Sequence, residues 1–282
     1  MKSSQSMKKR KKIFLSLIVF SITNVIYAAS VDTIIIYSAA MHKNLKCVII
    51  LPDSYSSVNK HFPVVYLLHG YSGNYADWIK KVPSITKCAD EFQLIIVCPD
   101  GHHHGWYLDS PVDSSMQYES YIGLEVPRHV DSAYRTIADR KERAIAGLSM
   151  GGQGALSIAW KHPDIFGAAG SMSGVQNLVP WKNSYELTNV LGDTANNKNF
   201  YNYSVVNVVK KRPSQIPVII FDCGISDPFI ETNRLLNKEL LEMKIPHDYI
   251  ERSGGHTWAY WGNSISYQLM FFHKYFEESL SL

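Results

Sequence analysis

Two rhythms of apolar residues alternate along this 282-residue chain. Apolar runs occur at residues 31–37, 45–51, 63–68, 94–98, 143–147, 168–172, 218–223 and 247–252. A run such as Pro63-Val64-Val65-Tyr66-Leu67-Leu68 leaves no side for solvent, as expected of a parallel strand covered on both faces. Between the runs, residues 78–92, 118–138, 150–162, 228–243 and 264–279 carry apolar residues at helical spacing. Strand and helix in repeated order predict an α/β fold, with a mainly parallel eight-stranded sheet and helices on both faces. No helix separates the first two strands, so an antiparallel edge is expected. Residues 175–213 have weak periodicity and several Asn and Gly. They read as an insertion over the carboxyl end of the sheet, where open α/β sheets bind ligands. No repeat or long linker interrupts residues 30–282, which are expected to form a single domain.

The N-terminus follows another pattern. Lys2, Lys8, Lys9, Arg10, Lys11 and Lys12 precede the apolar run 13–20, and Tyr27-Ala28-Ala29-Ser30 offers small residues for cleavage. This is the layout of a secretory signal peptide, expected over residues 1–29. The run is shorter than the roughly 20 residues a membrane-spanning helix needs, and no Cys stands at the cleavage position for a lipid anchor. A secreted or periplasmic product without a stable membrane anchor is expected. Its removal also reverses the formal charge of +3: six bases and no acids precede Ser30, leaving 22 bases against 25 acids, a net −3. No basic stripe remains to argue for nucleic acid. Apolar residues at 46% and charged residues at 19% suit a sizeable core and argue against disorder. Cys47, Cys88, Cys98 and Cys223 fit no CxxC or zinc spacing. Three of them lie in strand-like runs, where a free Cys behaves as a small buried hydrophobe. Free, buried thiols are expected.

The candidate chemistry centres on Gly147-Leu148-Ser149-Met150-Gly151. G-x-S-x-G alone is a weak pattern, but here an apolar strand runs into it and a helix-like stretch follows. That is the strand–turn–helix setting of a nucleophile elbow, in which Ser149 is the nucleophile. A Ser hydroxyl needs a base to take its proton, and the order for this elbow is Ser, then acid, then His. His256, in Ser253-Gly254-Gly255-His256-Thr257-Trp258, is the downstream His that follows the last strand in a loop. The acid comes from Asp222-Cys223-Gly224-Ile225-Ser226-Asp227. Asp227, in the loop, is preferred over Asp222, which sits within or at the end of the strand. An oxyanion hole needs two backbone donors: the N–H of Met150, next to the nucleophile, and the N–H of Tyr71 in His69-Gly70-Tyr71-Ser72-Gly73. His69 reads as a buried hydrogen-bonding residue. The tract His102-His103-His104 reads as a loop at the cleft rim rather than a metal site, because consecutive loop side chains are expected to diverge. Trp106, Tyr107, Trp181 and Trp258 are candidate cleft residues.

Taken in order, Leu67-Leu68-His69-Gly70-Tyr71-Ser72-Gly73-Asn74, Cys98-Pro99-Asp100-Gly101, Trp106-Tyr107, the Ser149 elbow, Met172-Ser173-Gly174, Cys223-Gly224 with Asp227, and Gly255-His256-Thr257-Trp258 span nearly the whole chain after the signal segment. In these segments the chain resembles the esterase D-like family of α/β-hydrolases. That family includes tributyrin, feruloyl and acetyl-xylan esterases, S-formylglutathione hydrolases and antigen 85 mycolyltransferases. The resemblance implies an α/β-hydrolase fold, Ser149, Asp227 and His256 as catalytic triad, and Tyr71 and Met150 as oxyanion donors. The expected reaction is hydrolysis of a carboxylic ester through an acyl-enzyme, needing neither metal nor organic cofactor. Export favours small or polysaccharide esters, with short acyl or feruloyl groups on plant polysaccharide preferred, and argues against a cytosolic formylglutathione role. The alternatives are an acyltransferase with the same triad and a catalytically silent carbohydrate-binding protein; a peptidase ranks below both. An added alcohol acceptor separates the first, and failure to react with a fluorophosphonate marks the second.

Overall fold

The computed structural model describes residues 29–195 and 197–280. The expected signal segment, residues 1–29, lies outside them but for Ala29. Eight strands form one sheet: β1 (Ser30–Ser38), β2 (Lys43–Leu51), β3 (Val64–Leu68), β4 (Ile95–Pro99), β5 (Arg143–Leu148), β6 (Ala168–Met172), β7 (Val218–Gly224) and β8 (Asp248–Arg252). Their order is β1-β2-β4-β3-β5-β6-β7-β8. β1 pairs antiparallel with β2, and β2 with β4; every other pairing is parallel. The antiparallel edge expected from the missing helix is therefore present.

Nine helical segments are used below: α1 (Asp77–Lys81), α2 (Ile85–Phe92), α3 (Val126–Ala133), α4 (Met150–Lys161), α5 (Leu187–Leu191), α6 (Lys198–Tyr203), α7 (Val205–Val208), α8 (Ile230–Glu242) and α9 (Trp258–Leu280). Alternation along the central strands feeds two cores. Val64, Tyr66 and Leu68 of β3 face one, with α3, α4, α8 and the insertion; Val65 and Leu67 face the other, with α1, α2 and α9. Burial on both faces is why these strands read as unbroken apolar runs. Cys47 and Cys98 lie on adjacent strands, but their side chains belong to opposite cores and both thiols are free. All four cysteines are free and buried.

Two predicted helices are shorter than their periodicity suggests. The span 78–92 is two helices, because Pro83 disfavours helical backbone at Val82, whose φ is −131° and ψ 69°. The span 118–138 begins with a turn at Tyr118–Ser120 and a π turn at Tyr121–Glu125, then ends at Ala133. Beyond it Tyr134 is extended and Thr136 bridges Phe62, with Phe62 N–H donating to Arg135 O and Ile137 N–H to Phe62 O at 2.9 Å. A tertiary partner for the backbone outcompetes the helix there. The final helix starts earlier than expected, at Trp258, directly behind the His256 loop. The insertion carries a 3-10 turn (Val179–Trp181) with α5, α6 and α7.

Candidate active site

β5 delivers the chain to Ser149, where φ turns to +54° and ψ to −117°, and α4 begins at once. Such backbone costs a non-glycine residue about 1–3 kcal/mol and persists only where its surroundings enforce it. Here Ser149 N–H donates to Met172 O at 2.9 Å, and Ser149 O accepts from Gly152 and Gln153 N–H at 3.0 and 3.1 Å. The hydroxyl caps no amide of α4. Gly151 is required by close approach: a Cβ there would stand 2.5 Å from His69 O.

The partners arrive from the carboxyl ends of β7 and β8. Ile225 N–H donates to Arg252 O and Ser226 N–H to Gly254 O, both at 2.9 Å, so the two loops are stitched together. At Gly224 the loops pass so closely that a Cβ would lie 2.4 Å from Gly254 O. His256 is thereby held with Nδ1 2.9 Å from Asp227 Oδ2 and Nε2 2.9 Å from Ser149 Oγ. Asp227 is 2% exposed, and its Oδ1 accepts Phe229 N–H at 2.9 Å. An ionised carboxylate only accepts, so Nδ1 carries the imidazole proton and Nε2 presents its lone pair to the Ser149 hydroxyl. Phe229 and Trp261 stand edge-to-face with the imidazole, centroids 4.9 and 4.7 Å away. Neither was expected from sequence, although Phe229 lies close to Asp227 along the chain and Trp261 close to His256.

Asp222 plays no part in this chain of contacts. Its Oδ1 accepts from Tyr260 Oη at 2.8 Å and lies 3.3 Å from Arg252; its Oδ2 accepts from Ser264 at 2.6 Å and Gln268 at 2.8 Å. Burial raises its pKa, and these donors oppose the shift. It bolts α9 to the sheet.

The turn carrying Tyr71 is also rigidly held. His69 is buried, with Nδ1–H donating to Gly70 O at 2.8 Å and Nε2 accepting Gly101 N–H at 2.9 Å. Burial holds its pKa below the usual imidazole value. Tyr107 Oη donates to His69 O at 3.0 Å, and Ser72 N–H to His103 O at 2.7 Å. Tyr71 lines the cavity over Ser149, and Met150 supplies the first amide of α4, where no intrahelical acceptor exists. Among the described residues both amides are therefore left without a protein partner.

That cavity encloses about 300 Å³ between Gly70, Tyr71, Tyr185, Thr257, Trp258 and Trp261, with Lys81 at its edge. Of the expected cleft aromatics, Trp258 lines it. Trp106 and Tyr107 do not: each is 1% exposed, because positive φ values of 51° and 54° turn them into the core. Trp181 packs behind Tyr185 and Phe229. Tyr185 takes the place expected of these rings, within a segment whose periodicity gave no signal. A larger cavity of about 640 Å³, near Trp160 and Tyr201, contains none of the triad, so size does not mark the site. The His102–His104 side chains were expected to diverge. Instead their ring nitrogens gather within 4.8 Å, His102 standing at φ +60°.

Residues 38–272 match the family described as "Putative esterase". An acetyl esterase of Caldicellulosiruptor saccharolyticus is 28% identical over 252 residues, 82% of this chain and 93% of that protein. An esterase of Mycobacterium tuberculosis is 29% identical over 238 residues, 74% of this chain but only 52% of its own length. A solved ferulic acid esterase superposes with a TM-score of 0.77 at 26% identity, covering 89% of this chain and 99% of the other. The strand order, the elbow and the match across most of the chain lead to one assignment: the chain belongs to the "Putative esterase" family and is an esterase of the α/β-hydrolase fold.

Proposed function

We propose that residues 30–282 form one exported catalytic domain, secreted or periplasmic, that hydrolyses carboxylic esters through an acyl-enzyme. The observation that carries this reading is the continuous contact Asp227–His256–Ser149, 2.9 Å at each step. His256 Nε2 takes the Ser149 proton as Oγ attacks the ester carbonyl. Asp227 holds the imidazole in the required tautomer and stabilises the imidazolium that forms. Tyr71 and Met150 N–H groups receive the oxyanion; removing one such donor typically costs about 10²–10³ in rate. His256 then protonates the leaving alcohol, and water activated by the same nitrogen releases the acid.

The substrates are short acyl or feruloyl esters of plant polysaccharide. Supporting this are the aromatic walls of the cavity, Tyr71, Tyr185 and Trp258, the names of the acetyl and ferulic acid esterases it resembles, and an N-terminus built for export. The test compares wild type with Ser149→Ala on acetyl, butyryl and feruloyl esters, with acid release separated from transfer to an added alcohol. Turnover is expected in wild type with free acid as product, and none in the variant. Activity that survives the substitution, or transfer exceeding hydrolysis in water, would overturn the reading. The N-terminal mass of the exported chain checks cleavage before Ser30.

A further inference from the structure

The tract His102-His103-His104 takes no part in the ester chemistry, yet it is built around a point. His103 Nε2 and His104 Nδ1 lie 2.6 Å apart. Glu186 Oε2 lies 3.2 Å from the first and 2.8 Å from the second. The His102 ring stands 4.3 and 4.5 Å from the other two, and one nitrogen from each imidazole falls within 4.8 Å of the rest.

Hydrogen bonding alone serves this cluster poorly. Each neutral imidazole has one N–H and one lone pair. If His103 and His104 both donate to Glu186, two N–H groups face each other at 2.6 Å; if only one does, the other nitrogen turns a lone pair toward the carboxylate. His102 Nδ1 is buried with no partner at all. The triangle of His103 Nε2, His104 Nδ1 and Glu186 Oε2 offers a cation three donors on one face, and one His102 nitrogen lies within 4.8 Å of the other two imidazoles. Two donors on one tetrahedral ion, with bonds of about 2.0–2.1 Å, stand roughly 3.3 Å apart. The edges among His103, His104 and Glu186, at 2.6, 2.8 and 3.2 Å, are at or below that spacing, so these three donors need only spread slightly around an ion.

We propose that His102, His103, His104 and Glu186 form a site for a divalent transition-metal ion, Zn²⁺ in particular. Three imidazoles and one carboxylate are a nitrogen-rich set that suits zinc, whereas Mg²⁺ and Ca²⁺ take oxygen ligands. The ligands come from two separate segments, so the ion clasps the 101–107 loop to the insertion. Both segments adjoin the cleft: His103 O accepts from Ser72 N–H at 2.7 Å, and Tyr185 lines the cavity and packs on Tyr71, centroids 5.5 Å apart. The clasp stabilises the rim and sets affinity for ester, while proton transfer stays with His256. Metal binding is measured directly, so the proposal stands or falls whatever ester the chain cleaves.

The experiment titrates Zn²⁺ alone, by calorimetry, into chelator-stripped protein that carries no affinity tag. About one ion per chain is expected, with a higher melting temperature in zinc and visible absorption bands when Co²⁺ is substituted. The double variant His103→Ala/His104→Ala and the isosteric Glu186→Gln are expected to weaken binding at least as much as the roughly 10–100-fold that loss of an outer-shell partner costs. Circular dichroism separates lost ligands from lost fold, and Glu186→Gln keeps the test sharp if the double variant unfolds. Substoichiometric binding by wild type overturns the proposal. So does an affinity undiminished in the folded variants.

Discussion

Asp222 and Asp227 share one strand-and-loop unit, yet their carboxylates serve different elements. Asp227 accepts from His256 at 2.9 Å and orients the base. Asp222 accepts from Tyr260, Ser264 and Gln268 of α9, at 2.6–2.8 Å, and anchors that helix beneath the site. The His256 loop immediately precedes α9, so the second carboxylate supports the platform on which the first one works.

This division separates two phenotypes. Asp227→Asn is expected to lower kcat by about 10³–10⁴-fold, because an amide no longer fixes the Nδ1–H tautomer, with a urea midpoint near wild type. Asp222→Ala is expected to cost about 3–5 kcal/mol of stability by leaving Arg252 and three donors without their acceptor. Steady-state kinetics beside urea unfolding for both variants checks this. A stable, inactive Asp222 variant beside an active Asp227 variant would reverse the assignment.

Gly151 offers a steric test of the elbow. A methyl group there would lie 2.5 Å from His69 O, a backbone atom that cannot swing aside. Gly151→Ala should therefore destabilise by about 1–3 kcal/mol, the usual cost of overpacking, and should move the turn that carries Tyr71. Thermal melts and p-nitrophenyl acetate turnover read the two effects. Wild-type values in both would mean the elbow and the oxyanion turn are not in contact as described.

His69 makes stability depend on pH with a definite sign. Its folded pKa lies below the ordinary 6.5 because the ring is buried, and Nε2 must stay unprotonated to accept Gly101 N–H. The unfolded chain therefore takes up the proton first as pH falls. The contribution is full above about pH 6.5 and is lost progressively below it. His69→Gln, which keeps an acceptor but does not titrate, should be less stable at neutral pH and should show a shallower fall in melting temperature on acidification. Parallel pH slopes in wild type and variant would remove His69 from this role.

Much of this was legible in sequence for an identifiable reason. Ser149 directly follows β5, and Asp227 and His256 lie in the short loops that follow β7 and β8, so the strand pattern places all three at the carboxyl end of the sheet. The eight strands themselves are marked similarly by their apolar runs, whereas their order, with β4 between β2 and β3, is set by tertiary pairing that local periodicity does not show. The placement of aromatic rings in or out of the cleft does not obey that logic. Trp106, Tyr107 and Tyr185 all lie in loops at positive φ, between 51° and 54°, and a left-handed residue sends its side chain where no periodicity predicts. The same holds for His102, whose +60° φ accompanies a convergence that consecutive loop residues were not expected to show. The helical spacing of 78–92 does not show the break at Pro83, although the proline itself is the signal that marks it. The end of α3 has no such signal, since it depends on Phe62, far away along the chain.

Tyr185 provides the last test, because it separates acyl-group recognition from the chemical step. Its ring borders the cavity over Ser149 and is braced by Tyr71, Trp181 and Phe229 at centroid distances of 5.5, 5.9 and 6.0 Å. An aromatic pair contributes about 0.5–1.5 kcal/mol beyond simple burial, which corresponds to roughly a 2- to 12-fold change in affinity. Tyr185→Leu keeps an apolar wall but removes the ring. It should raise KM for a feruloyl ester by about that factor, leave KM for an acetyl ester nearly unchanged, and preserve kcat, since Tyr185 makes no contact with His256 or Ser149 among the described hydrogen bonds. Equal losses on both esters would show that the ring supports the rim as a whole. A loss confined to kcat would place it in the triad's own support. Only a KM effect that grows with the aromatic acyl group supports recognition of that group by this wall.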